Sequence, residues 1–262
     1  MKKRKSLSGR RDFLRAASTG LPLTLMMGPG GLADPLDAHA APSHPLSIVC
    51  VGAHPDDPES GCGGTLARYA EAGHRVTVIY LTRGEAGIPG KSHEDAASIR
   101  TAESEAACKI LGAKPLFAGQ VDGATEMTRK AADALSQLIA REKPDVVFTH
   151  WPIDTHFDHQ AASMLTIRAY LASRPSWALY FFEVNSGSQT LGFMPTSYVD
   201  ISATRPKKKQ ALFAHKSQDG ERIYRVHHEV METFRGRELG VAGAEAFVSL
   251  PRDHRNGRLP GL

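Results

Sequence analysis

Two short segments hold residue types suited to metal-assisted hydrolysis: Ala53-His54-Pro55-Asp56-Asp57-Pro58-Glu59, and His150-Trp151-Pro152-Ile153-Asp154-Thr155-His156-Phe157-Asp158-His159. His54 and Asp57 are three apart on a turn. His156 and His159 are three apart where a helix begins, so they can share a face. A catalytic zinc takes three such nitrogen and carboxylate ligands and keeps a fourth position for water. The pKa of that water falls to about 7, and a neighbouring carboxylate can complete its activation. Asp56 and Asp57 are consecutive and point different ways, so one can bind metal while the other accepts a proton. Of the two histidines, one can ligate and the other meet charge developing on the substrate, with Asp158 or Asp154 orienting that imidazole and keeping it protonated. Taken singly, an Asp-Asp pair is usually a turn or helix cap. Position decides whether the two segments act together.

The elements around them alternate. Ser47–Gly52 reads as a buried β-branched strand, Gly61–Gly73 as a helix, and Val76–Leu81 as a second buried strand. A helix over 94–111, a short strand at 115–117, an amphipathic helix over 127–142, a strand at 145–149 and a helix over 159–172 follow. Strands spaced by helical segments imply parallel βαβ units with right-handed crossovers. The expected fold is α/β and Rossmann-like, a mostly parallel sheet of order 3-2-1-4-5 with helices on both faces. In that order the first and fourth strands adjoin, so both motifs meet at the carboxyl edge, at the switch point where open sheets bind ligands. Further on, 178–184 and 198–201 look like strands, and 207–214 and 223–239 like helices. Residues 44–252 read as one domain and 253–262 as a C-terminal tail. The Gly61-x-Gly63-Gly64 run lacks the full dinucleotide spacing; its glycines let a helix pack closely on the sheet. Cys50, Cys62 and Cys108 indicate neither a disulfide framework nor a cysteine zinc site.

Residues 1–40 of the 262-residue chain read as an address. They hold seven Lys/Arg and three Asp, leaving 25 basic and 25 acidic residues in the remainder, so the excess of +4 belongs to this head. Nucleic-acid binding through bulk charge loses its support. No apolar run reaches the roughly 20 residues that span a bilayer. Arg10-Arg11 ahead of Phe13-Leu14, an apolar stretch over 21–27, and Ala38-His39-Ala40 resemble a twin-arginine export signal with a small-x-small cleavage site. The expected partner is the twin-arginine export machinery, and the expected location is periplasmic or secreted.

AHPDDPESGCGGTLARYAEAGHRVTVIYLTRGEAG (53–87), IRTAESEAACKILG (99–112) and THFDHQAA (155–162) resemble the LmbE-like and PIG-L-like zinc de-N-acetylases, and Ala214–Gln218 resembles a later segment of that family. The resemblance implies a Rossmann-like fold and hydrolysis of an N-acetyl group on an N-acetylglucosamine-type sugar or glycoconjugate. It implies zinc, or another divalent ion, on His54, Asp57 and His159. It makes Asp56 the general base and His156 the acid or oxyanion-stabilising group, with Asp158 its partner. Arg100 and His215 are placed toward substrate, although His215 also suits a capping or core role. The family carries Glu directly after the paired aspartates; here Pro58 intervenes before Glu59. Trp151 and Asp154 occupy a stretch that varies among relatives and shapes substrate choice. Arg83 and Glu85 suit binding or loop structure equally, and His227 and His228 suit helix surface or local packing. The competing activities are ester or phosphoester hydrolysis at the same metal, or glycan binding by an inactive site.

Overall fold

Strands buried on both faces alternate their side chains between two cores, and this chain does so. A computed structural model describes residues 44–174, 176–250 and 259–262; the predicted export signal lies outside them. The strands are β1 (Ser47–Gly52), β2 (Arg75–Tyr80), β3 (Lys114–Phe117), β4 (Val146–His150), β5 (Ala178–Phe182), β6 (Ser197–Asp200) and β7 (Ala244–Ser249). The helices are α1 (Asp57–Glu71), α2 (His93–Leu111), α3 (Arg129–Arg141), α4 (Phe157–Ala172), α5 (Arg205–Ala214), α6 (Gly220–Ile223) and α7 (Glu229–Leu239), with a π-helical stretch Tyr224–His228 joining α6 to α7. Ile48, Cys50, Val78, Tyr80 and Phe148 pack on one face against Cys62, Leu66 and Tyr69 of α1 and Cys108 of α2. Val49, Val51, Ile79, Val147 and Leu179 pack on the other against Leu135 and Ile139 of α3 and Ala161 and Leu165 of α4. Burying one such side chain fully is worth about 1.5–3 kcal/mol.

The sheet order is β3-β2-β1-β4-β5-β7-β6. The first five strands are parallel, in the expected 3-2-1-4-5 order. The chain winds outward from β1 through α1, β2 and α2 to β3, crosses back over α3 to β4, and continues through α4 to β5. The reversal leaves a switch point between the carboxyl ends of β1 and β4.

Four local features differ from the expectation. β7 was not expected: it inserts antiparallel between β5 and β6, and its Glu245 breaks the apolar pattern because that carboxylate is buried in polar contacts. The first helix starts at Asp57, not Gly61, because Pro58 is preorganised for a first helical turn. The last long helix is interrupted by the π-helical stretch. Finally, the end of the supposed tail belongs to the domain, since the apolar Leu259 is buried in the core around Leu46 and the Pro260 carbonyl accepts from the Tyr69 hydroxyl. The glycines of α1 do what close packing needs: a Cβ on Gly61 would lie 2.2 Å from the Phe182 ring, and one on Gly64 would lie 2.8 Å from Ile201. Among the described residues no helix is long and apolar enough to cross a membrane.

Candidate metal centre

The register that pairs β1 with β4 carries the residues after Gly52 and after His150 to the same edge of the sheet. There His54, Asp57 and His159 each offer a ligand atom within 4.8 Å of the others, and all three are buried. Asp57 opens α1 and faces both histidines: its Oδ2 is 3.2 Å from His54 Nδ1 and its Oδ1 is 3.3 Å from His159 Nε2. Two imidazoles and a carboxylate are a donor set that fits zinc and several other divalent ions.

The outer nitrogens of both imidazoles are held by carboxylates, which is how a ligating ring is commonly oriented. His54 Nε2 lies 3.1 Å from both Asp122 Oδ1 and Asp158 Oδ2. His159 Nδ1 lies 3.1 Å from Asp154 Oδ1. Asp154 is fixed in turn by the His156 N–H and the Thr190 hydroxyl. Burial opposes charge on His54, yet Asp122, Asp158 and Asp57 hold its pKa well above the usual histidine value. Burial also opposes charge on His159, but Asp57 and Asp154 lift it to about 9. Burial pushes Asp57 up, but His159 and His150 hold its carboxyl well below the usual range. The pocket is therefore built for concentrated positive charge. Replacing Asp154 by alanine is expected to weaken metal affinity by about 10–100-fold, read by competition with a fluorescent chelator; unchanged affinity would show that His159 needs no such support.

Asp56 sits beside this set on the same cavity. Its backbone is left-handed, with φ 111°, a strained conformation for a residue bearing a Cβ. Asp56 precedes the helix without capping it. The strained turn lets consecutive carboxylates serve different places. Arg100 Nη2 lies 3.3 Å from Asp56 Oδ1 and donates to the Pro55 carbonyl. Burial raises the Asp56 pKa against the lowering influence of Arg100, which strengthens it as a base. Gly84 and Gly87 make room for Arg100: a Cβ on either would fall within 2.4 Å of Nη1.

Two expected roles change. Asp158 does not hold His156 through its carboxylate: that group accepts from Gly123 N–H and the Thr125 hydroxyl and faces His54. His156 is the N-cap of α4, and its Nδ1 accepts the Asp158 backbone N–H at 3.2 Å. The helix terminus thereby fixes its tautomer, leaving the hydrogen on Nε2. Burial, His54 and His159 lower the His156 pKa, which favours the neutral imidazole over the expected protonated one. His54, His156 and Asp158 also form a set within 4.8 Å, but helix and loop N–H groups already engage His156 and Asp158.

His215 is the second change. It is fully buried, 3.4 Å from Glu59, and is absent from the cavity wall, because α5 packs against α1 and α2. Glu59, also fully buried, accepts from the Tyr80 hydroxyl, so the carboxylate displaced by Pro58 is structural. Arg100 does line the cavity, while Arg83 and Glu85 bond to Thr101 and to the Asp122 N–H as loop structure. Trp151 packs against Phe181 and Phe193.

The sequence reading missed His150 and Asp122. His150 accepts the Ala53 N–H on Nε2 and stacks on His159 at 4.2 Å, and burial with His159 lowers its pKa to about 4. Its place at the end of β4 was a usable signal. Asp122 follows β3 at the same sheet edge, in a loop whose glycines allow the turn. His227 and His228 lie neither on a free helix surface nor in simple packing. The π-helical stretch brings both to the wall of a cavity of about 700 Å³, whose floor includes His54, Asp56, Asp57, His156 and His159.

A model of the PIG-L family, described as GlcNAc-PI de-N-acetylase, matches residues 49–170. Diacetylchitobiose deacetylase of Thermococcus kodakarensis is 29% identical, covering 78% of this chain and 83% of that protein. The uncharacterised deacetylase YaiS of Escherichia coli is 32% identical, covering 65% of this chain and 90% of that protein. The solved structure of the conserved protein TT1542 from Thermus thermophilus superposes with a TM-score of 0.69 at 32% identity, over 82% of this chain and 96% of that one.

Proposed function

This chain belongs to the PIG-L family, and on that premise we propose that it is a zinc-dependent hydrolase removing the acetyl group from an N-acetylglucosamine-type sugar or glycoconjugate. The observation that carries this reading is the convergence of His54, Asp57 and His159 on one point of the cavity floor, with the Asp56 carboxylate beside them.

His54, Asp57 and His159 would hold the metal. A divalent ion bound there supplies Lewis acidity toward the amide carbonyl and toward water. Asp56 takes the proton of the attacking water and passes it to the departing amine nitrogen, its carboxylate kept in place by Arg100. His156 presents Nε2–H to the oxygen on which negative charge develops. Asp154 and Asp158 position His159 and His54. Zinc is favoured over other ions by a nitrogen-rich, compact donor set. Residues 1–40 support an exported location, through Arg10-Arg11 and Ala38-His39-Ala40.

The test is acetate release from N-acetylglucosamine and N,N′-diacetylchitobiose by the purified, metal-loaded protein. Activity is expected to disappear on chelation and return with zinc. Metal-replete protein that frees no acetate from any acetamido sugar, or that cleaves esters or phosphoesters instead, would overturn the proposal.

A further inference from the structure

Much of the cavity wall is contributed by 184–190 and 218–228, neither of which supplies a metal ligand: Asn185, Ser188, Gln189, Gln218, His227 and His228. These are amides, a hydroxyl and imidazoles, groups that can both donate and accept. Among the described lining residues Arg100 is the only lysine or arginine, and it is committed to Asp56 and Pro55. Asp56, Asp57 and Asp122 add three carboxylates to the same cavity. A phosphate or carboxylate is recognised best by a free guanidinium or ammonium, and the described residues of this wall offer none.

The wall is built to hold its shape. The Asn185 carbonyl accepts from the N–H groups of Ser188, Gln189 and Thr190. The Thr190 hydroxyl donates to Asp154, the carboxylate behind His159. Glu183, just before the segment, is clamped by Arg235 and accepts from the Ser186 hydroxyl. Asn185 Nδ2 donates to His227 Nδ1 at 3.2 Å, so the His227 hydrogen sits on Nε2. Burial, followed by nearby Lys208, holds the His228 pKa well below the usual value, which favours the neutral ring.

Resting on the deacetylase reading above, we propose that this wall recognises an uncharged polyhydroxylated group joined to the acetamido sugar, a second sugar ring or a cyclitol, and disfavours anionic glycosides. Asn185 and His227 are its specificity residues. Each sugar hydroxyl both donates and accepts, matching amide and imidazole partners. An anion against this wall would lie near carboxylates and find no lysine or arginine among the described lining residues free to pair with it.

The experiment compares kcat/KM of the metal-loaded protein for N,N′-diacetylchitobiose and the myo-inositol glycoside of N-acetylglucosamine with that for its malate glycoside and its 1-phosphate, at one ionic strength. The neutral pair is expected to exceed the anionic pair at least tenfold. Asn185→Ala and His227→Ala are expected to lower kcat/KM for the disaccharide about tenfold, chiefly through KM. Ser188→Arg is expected to narrow the gap by raising the anionic values. Deacetylation of the anionic pair at equal or higher efficiency would overturn the inference and leave the deacetylase reading standing. Without deacetylation of any of the four, calorimetric binding that favours the disaccharide over the malate glycoside and weakens in Asn185→Ala would support the wall and overturn the deacetylase reading.

Discussion

Asp56→Asn is expected to reduce turnover by about 10²–10⁴-fold while leaving metal content and fold unchanged. Asparagine has the same shape and, like aspartate, tolerates a left-handed backbone, so the strained turn at φ 111° persists. What is lost is the ability to take a proton. Asp57→Asn is the contrasting variant: its carboxylate faces both His54 and His159, so its loss should empty the site. Metal analysis beside acetate release separates the two. If Asp56→Asn lost the metal and Asp57→Asn retained it, the roles of the two aspartates would be reversed.

The largest effect on stability is expected at Lys208, far from any catalytic role. Its Nζ lies 2.7 Å from Glu245 and 3.0 Å from Glu232, and all three side chains are 2% exposed. Glu245 also accepts the N–H groups of Gly64 and Thr65, just past the non-helical Cys62 of α1. The ammonium thus balances carboxylates that stitch β7 to α1 and α7. Lys208→Met keeps the chain length and removes the charge, leaving two carboxylates buried without their shared cation. A loss of about 3–5 kcal/mol is expected, measured from urea unfolding midpoints. Adding Glu232→Gln to Lys208→Met should recover part of it. A cost below about 1 kcal/mol would mean that water reaches these groups.

Much of the architecture was legible in the residues. The β-branched runs at 47–52, 76–81 and 145–149 and the helical stretches between them determined the parallel order, because two covered faces demand apolar strands. Gly61 and Gly64 were readable as close-packing positions for the same reason. β7 escaped because Glu245 makes it look solvent-facing; the buried Lys208 and the N–H groups of Gly64 and Thr65 explain that carboxylate. The end of the chain was opaque too, since nothing local says that Leu259 and Pro260 return to Leu46 and Tyr69.

The centre divides along the same line. Residue type and spacing identified the two motifs as a candidate metal site in which one aspartate and one histidine of each pair ligate, because ligand chemistry resides in the side chains themselves; the family resemblance implied which, with His54, Asp57 and His159 as ligands and Asp56 as base. Partnerships between distant segments were decided by the tertiary fold alone. His156 is held by the α4 backbone instead of by Asp158, His215 is sealed beneath the floor, Asp122, Asn185 and His227 reach the cavity from separate elements, and His150 stacks on His159. A hydrogen bond depends on directions and distances of a few ångströms, which are set when β1 and β4 pair and the π-helical stretch folds over them, not by neighbours along the chain.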